Sequence, residues 1–126
     1  MIHLDTSLLV DALAGPRRSA PALRAAIADG ERILLSTLVL YEWRRGPRVA
    51  AELATQEQLF PSADAVPFDV TAAERAADLY RALRRARGRE LDLAIAACAI
   101  LQDAALWTLN IEDFADVPGL RLFSGE

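Results

Sequence analysis

The sequence predicts an α/β domain in three layers, with a mostly parallel central sheet of about five short strands and helices on both faces. Three observations lead there. Short apolar runs of three or four residues alternate with helix-length segments along the whole chain. One of those segments, Arg89 to Ile100, is apolar on nearly every face, so it belongs in the interior. The 126 residues are 53% hydrophobic and 25% charged, a globular balance, and they contain no repeat, low-complexity tract or linker. They make one domain spanning residues 1–126, long enough for a single core.

Ile2-His3-Leu4 reads as a buried first strand that ends abruptly and delivers Asp5 at its carboxyl end. Ser7 or Thr6 then caps a helix over 8–13, stopped by Gly15-Pro16. His3 has no second His or Cys with which to share a metal, so its role is structural. Pro21 opens a second helix over 22–28, closed by Asp29-Gly30. Ile33-Leu34-Leu35 is the second strand, and Ser36 or Thr37 caps a third helix that ends at Gly46-Pro47. Within it Glu42 lies among apolar neighbours, where an acid needs a partner; Arg44 and Arg45 are the local candidates.

Residues 48–59 form a polar helix, and Val66-Pro67-Phe68 a short edge strand, because proline cannot donate to a ladder on both sides. Thr71-Ala72-Ala73-Glu74 has the spacing of a capping box. It starts a long amphipathic helix that turns Ala73, Ala76, Ala77, Tyr80 and Leu83 inward and stops at Gly88. The buried helix follows, with Asp92 in its first turn, where the helix dipole stabilises an anion by about 0.3–1 kcal/mol. Ala105-Leu106-Trp107-Thr108 is a strand, 109–114 a loop or single turn, Val117-Pro118-Gly119 a turn, and 120–123 a last strand.

Composition narrows the function classes. The single cysteine, Cys98, excludes an intramolecular disulfide and a cysteine-based metal site, and its apolar setting makes it a packing residue. There is no basic-then-apolar leader and no apolar run of membrane-spanning length, so the expected compartment is the cytoplasm. The net charge of −4 argues against a nucleic-acid binder only as an average. All 14 basic side chains are arginine, which fits a GC-rich coding sequence, but they cluster. Arg44, Arg45 and Arg48 form one group, and Arg81, Arg84, Arg85, Arg87 and Arg89 another.

In open parallel sheets functional groups gather outside the carboxyl ends of the strands, where strand order reverses. Asp5 follows one strand; Thr108, Asn110 and Asp113 follow another; Glu42 and Asp92 sit near the starts of helices that run back from that edge. Four acids from four segments can therefore meet at one rim. Two carboxylates about 4 Å apart repel by about 4 kcal/mol at an effective dielectric near 20, so such a cluster holds protons or binds a cation. Oxygen ligands without His or Cys suit Mg²⁺ or Mn²⁺, ions that activate water for phosphodiester hydrolysis.

Competing acid-based sites fail on absences. A phosphate-accepting receiver domain needs a lysine at the rim, and the chain has none. Asp5 is followed by Thr6-Ser7 rather than by the Asp-x-Asp of a haloacid-dehalogenase-type phosphatase. Neither glycine-rich nucleotide loop occurs, and Ser7 and Ser36 have no histidine partner for nucleophilic catalysis.

The chain resembles the PIN domains, and specifically the VapC-type toxins of bacterial toxin–antitoxin pairs. The resemblance runs through Leu4-Asp5-Thr6-Ser7, the segment Tyr41 to Pro47 around Glu42, Gly88 to Ala97 around Asp92, and Leu106 to Phe114. It covers almost the full length, in order. It implies a PIN-like sandwich and a metal-dependent endoribonuclease in which Asp5, Glu42, Asp92 and Asp113 are the catalytic acids. Asp5 and Asp92 would be the firmest Mg²⁺ (or Mn²⁺) ligands, Asp113 would complete the set directly or through water, and Glu42 would ligate or position the attacking water. Thr6, Ser7, Thr108 and Asn110 would support them, and Arg44, Arg45, Arg85, Arg87 and Arg89 would hold RNA phosphates. It also implies a small cognate antitoxin that covers the site, an RNA substrate, and a homodimer with no membrane attachment. Apolar residues on the 8–13 and 38–43 helices are candidates for the dimer face. The alternatives are a PIN-like nuclease of RNA processing outside any toxin pair, and a non-catalytic interaction module.

Overall fold

The computed structural model describes residues 1–125. Four short strands, β1 (Ile2–Leu4), β2 (Ile33–Leu34), β3 (Ala105–Trp107) and β4 (Arg121–Leu122), form one parallel sheet in the order β2-β1-β3-β4. The chain moves outward from β1 to β2, then returns to the other side of β1 for β3 and β4. The order therefore reverses between β1 and β3, which opens a crevice at their carboxyl ends. His3 pairs with Leu34 on one side and Leu106 on the other.

The helices are α1 (Thr6–Leu13), α2 (Ala20–Ala28), α3 (Thr37–Arg45), α4 (Ala50–Leu59), α5 (Val70–Ala82) and α6 (Glu90–Leu101). As the sequence predicts, α6 is buried from Leu93 through Ala99; α5 lies along it, and α3 and β3 also pack on it. Its alanines let these neighbours approach closely while Leu93 and Ile95 fill the core with Ile2, Leu4, Leu8, Trp43 and Leu106. Gly88, at φ 85°, makes the left-handed turn that leads the chain into α6. Burial pushes the Cys98 thiol up to about 11, as expected of a packing cysteine. Burial likewise lowers His3 to about 4, so this imidazole is neutral, and neither ring nitrogen has a partner among the described residues.

Several local expectations are corrected. The fifth strand contracts to a single parallel bridge between Ser36 and Val66, because Pro67 follows at once and cannot extend the ladder. The cap of α5 is Asp69, which accepts from the Ala72 N–H at 2.9 Å; Thr71 lies inside the helix. The inward stripe of α5 is Ala72, Ala76, Leu79 and Leu83, whereas Ala73, Ala77 and Tyr80 face solvent. Leu79 can be buried without leaving a hydroxyl unpaired, which Tyr80 cannot. Helix α5 also stops at Ala82, six residues before Gly88. Running on, it would stack Arg81, Arg84 and Arg85 at like-charge helical spacings. On α1 and α3, Leu8, Leu9, Val39 and Trp43 are fully enclosed within this single chain, so of the apolar residues expected at a dimer face those helices leave Val10, Leu13, Leu38, Leu40 and Tyr41 open to a second copy.

Candidate active site

Asp5 occupies the N-cap position of α1, yet its side chain makes no cap hydrogen bond. A cap there would stabilise the helix by about 0.5–2 kcal/mol. Asp5 Oδ2 accepts instead from the Ser7 hydroxyl at 2.8 Å and the Thr108 hydroxyl at 2.7 Å. The two residues expected to cap α1 therefore serve the rim. Ser7 holds Asp5 and accepts from the Leu109 N–H at 3.0 Å, and Thr6 donates to Glu42 Oε1 at 2.5 Å. Thr108 is buried and takes the Asn110 N–H at 3.0 Å, so β1 and β3 are joined across the crevice by side chains as well as by the sheet. The Asn110 side chain itself is exposed on the following loop.

Replacing Thr108 by valine keeps the shape but removes both hydrogen bonds, leaving the Asn110 N–H and Asp5 short of a partner. The variant should lose about 1–3 kcal/mol in urea denaturation, and Thr108→Ser should recover most of it. A loss below the error of the measurement would show that this hydroxyl does not organise the rim.

Asp92 lies in the first turn of α6. Burial pushes its carboxyl from the ordinary 3.8 up to about 6, and the negative charges of Asp5, Asp113 and Glu42 add to that effect, with Arg89 opposing it. The three other predicted acids, each from a different segment, thus act on Asp92. Glu42 is held between Thr6 and Arg45, whose Nη2 stands 3.6 Å from Oε2, and its side chain is 19% exposed. Asp113 sits in a 3-10 turn, Ile111–Asp113, anchored by the buried Phe114.

The acids converge without forming a finished cage: among the described residues no three His, Cys, Asp or Glu side chains stand at metal-ligating spacing. The donor set nonetheless suits a hard divalent cation. It is all oxygen, its repulsion at Asp92 is only partly offset by Arg89, and Asp5 keeps Oδ1 free of hydrogen bonds among the described residues while two hydroxyls fix Oδ2.

The arginines divide. Arg44, Arg45, Arg85 and Arg87 are exposed. Arg89 is committed internally: its guanidinium makes paired bonds of 3.0 and 2.6 Å to Asp116 and reaches the Asp113 carbonyl at 2.7 Å. It therefore fastens the start of α6, with Asp92, to the turn that carries Asp113. Sequence reasoning missed Asp116, and no local signal marks it, since its partner lies 27 residues away.

Comparison with known proteins gives the family. Residues 2–120 match the PIN domain family. The chain is a PIN domain. It is similar to a Mycobacterium tuberculosis protein named Ribonuclease VapC19, with 36% identity over 123 residues that cover 94% of this chain and 95% of the relative. Among solved structures, this PIN domain is similar to a chain of DNA-bound VapBC from Salmonella typhimurium (TM-score 0.79, 20% identity, 99% of this chain and 98% of that one). It is also similar to a chain of VapBC2 from Rickettsia felis bound to a promoter DNA fragment (TM-score 0.74, 24% identity, 98% of each). A third is a toxin–antitoxin complex from Klebsiella pneumoniae (TM-score 0.68, 26% identity, 100% and 98%). No helix among the described residues is long and apolar enough to cross a membrane.

Proposed function

We propose that this PIN domain is a divalent-metal-dependent endoribonuclease, the toxin of a toxin–antitoxin pair. The observation that carries the reading is Asp92, a carboxyl raised by burial and by three other acids at the sheet's crossover crevice, in a chain 36% identical to a protein named a ribonuclease. Bound Mg²⁺ or Mn²⁺ would supply water activation and stabilise charge developing on the phosphate. Asp5, Asp92 and Asp113 would hold it. Ser7 and Thr108 fix the Asp5 carboxylate, and Arg89 keeps the Asp92 and Asp113 segments together. Glu42, steadied by Thr6, would orient the water that attacks phosphorus as the bond to the leaving oxygen breaks. The exposed Arg44, Arg45, Arg85 and Arg87 would meet RNA phosphates, a local contact that the acidic average charge does not oppose.

The reading carries further expectations. A small antitoxin would cover the rim, a second copy would pair through a face other than the enclosed side chains of α1 and α3, and the setting would be cytoplasmic. The test is cleavage of total cellular RNA by purified, antitoxin-free protein with Mg²⁺ or Mn²⁺ beside an EDTA control. Metal-dependent cutting is expected. A folded protein that neither cuts RNA nor binds either metal by calorimetry would overturn it.

A further inference from the structure

Next to the acidic rim lies a cavity of about 480 Å³ that the proposed hydrolysis leaves unused. Its size falls within the roughly 300–1,000 Å³ of small-ligand sites. One wall is Thr108, the residue whose hydroxyl holds Asp5, so the cavity opens beside the catalytic acids. The apolar wall is Trp107, Phe123 and Ile111, and Ser124 adds a hydroxyl. The two rings meet at 4.7 Å between centroids and 54° between planes. Ile111 belongs to the same 3-10 turn as Asp113 and is 58% exposed. Its neighbour across Asn110, Leu109, is 51% exposed. Two large apolar side chains held in water beside a charged rim gain little from folding, and such placement marks a contact surface.

Among the described residues no arginine lines the cavity, so these walls do not suit a phosphate. They suit a flat, largely apolar group with a polar edge. Unpaired nucleobases are recognised in this way, by packing on aromatic and apolar side chains while hydroxyls read their edges. From this geometry we infer that the cavity is a subsite for one unpaired nucleobase of single-stranded RNA, belonging to a nucleotide next to the scissile phosphate. Ile111 closes over the base, the Trp107–Phe123 pair forms its floor, and the Ser124 hydroxyl faces its edge. This subsite rests on the nuclease reading for its substrate, and it supplies what the acids lack, a means of choosing where to cut.

The test uses the full chain with Asp92→Asn to prevent cutting. Single-stranded homopolymer RNAs and an abasic ribose-phosphate strand of equal length are titrated while tryptophan fluorescence is followed. Trp107, 5% exposed, lines the cavity and Trp43 does not, being fully enclosed and covered by Arg48, so the change reports on Trp107. Base-containing strands should quench, the abasic strand should not, and Ile111→Ala should weaken binding about fivefold, with Ile111→Phe strengthening it. Because Ile111 is exposed, both variants should fold, which circular dichroism checks. In the cutting enzyme, the Ile111→Ala loss should fall mainly on KM. Equal affinity for abasic and base-containing strands, or an unchanged Kd in Ile111→Ala, overturns the subsite, as it would if the cavity served a protein partner instead. Quenching that depends on Ile111 in a protein that cuts no RNA would sink the nuclease reading and leave the subsite standing.

Discussion

Asp92→Asn is expected to abolish metal-dependent RNA cleavage and, at the same time, to raise the melting temperature of the metal-free protein. Both effects have one cause. The Asp92 carboxyl is half-buried, and this desolvation, with the charges of three other acids, lifts it to about 6. Part of it meets solvent, so with screening the ionised group costs about 1–2 kcal/mol at neutral pH. Asparagine keeps the shape without the charge and removes that cost. The sign follows from linkage: a carboxyl whose folded pKa is raised above 3.8 binds its proton more tightly in the folded state. The wild type is therefore relatively most stable below pH 3.8 and loses that advantage as pH rises through about 6. The stabilisation by Asp92→Asn should be full above pH 6 and vanish near pH 4. Mg²⁺ should raise the melting temperature of the wild type and leave the variant unmoved. Activity should fall at least about 100-fold, since groups one step removed from a metal are already worth roughly 10–100-fold. A variant that is no more stable than wild type at pH 7 would show that the acids do not press on one another. Retained cleavage would remove Asp92 from the chemistry.

Phe114→Ala is expected to carry the largest stability loss, about 3–5 kcal/mol by chemical denaturation, with Phe114→Leu losing markedly less. The ring is 1% exposed and ends the turn that bears Asp113. Its backbone N–H donates to the Ile111 carbonyl at 3.0 Å, and its own carbonyl accepts from the Val117 N–H at 3.1 Å. Emptying that site opens a cavity under the turn and frees Asp113 and Ile111 together. Cleavage should therefore fall further than the folded fraction does. A loss below about 1 kcal/mol would mean that Arg89, through its bonds to Asp116 and the Asp113 carbonyl, holds the turn without the ring.

Asp5, Asp92 and Asp113 stood out as candidates because each follows a strand or starts a helix on one sheet edge, and Glu42 because it is an acid among apolar neighbours inside α3. Their supporting contacts were less so. Thr6 and Ser7 are good cap residues, and local reasoning assigned them to α1. Only the tertiary structure turns Thr6 toward Glu42, 36 residues on, and aims Ser7 and Thr108 at one oxygen of Asp5. Arg89 had four arginine neighbours in its cluster, read as a phosphate-binding group, and nothing nearby singled it out for Asp116.

The sequence by itself determined the α/β class, the order of the elements and the buried character of α6, and it offered four candidate acids. These depend on apolar periodicity and end signals within a few residues. The tertiary structure decided how α5 rotates about its axis, why the Val66 strand shrinks to one bridge, which hydroxyl serves which carboxylate, and that a cavity opens beside Thr108. Those outcomes depend on which distant groups compete for one partner or one volume, a choice that exists only once the sheet has brought β1 and β3 side by side.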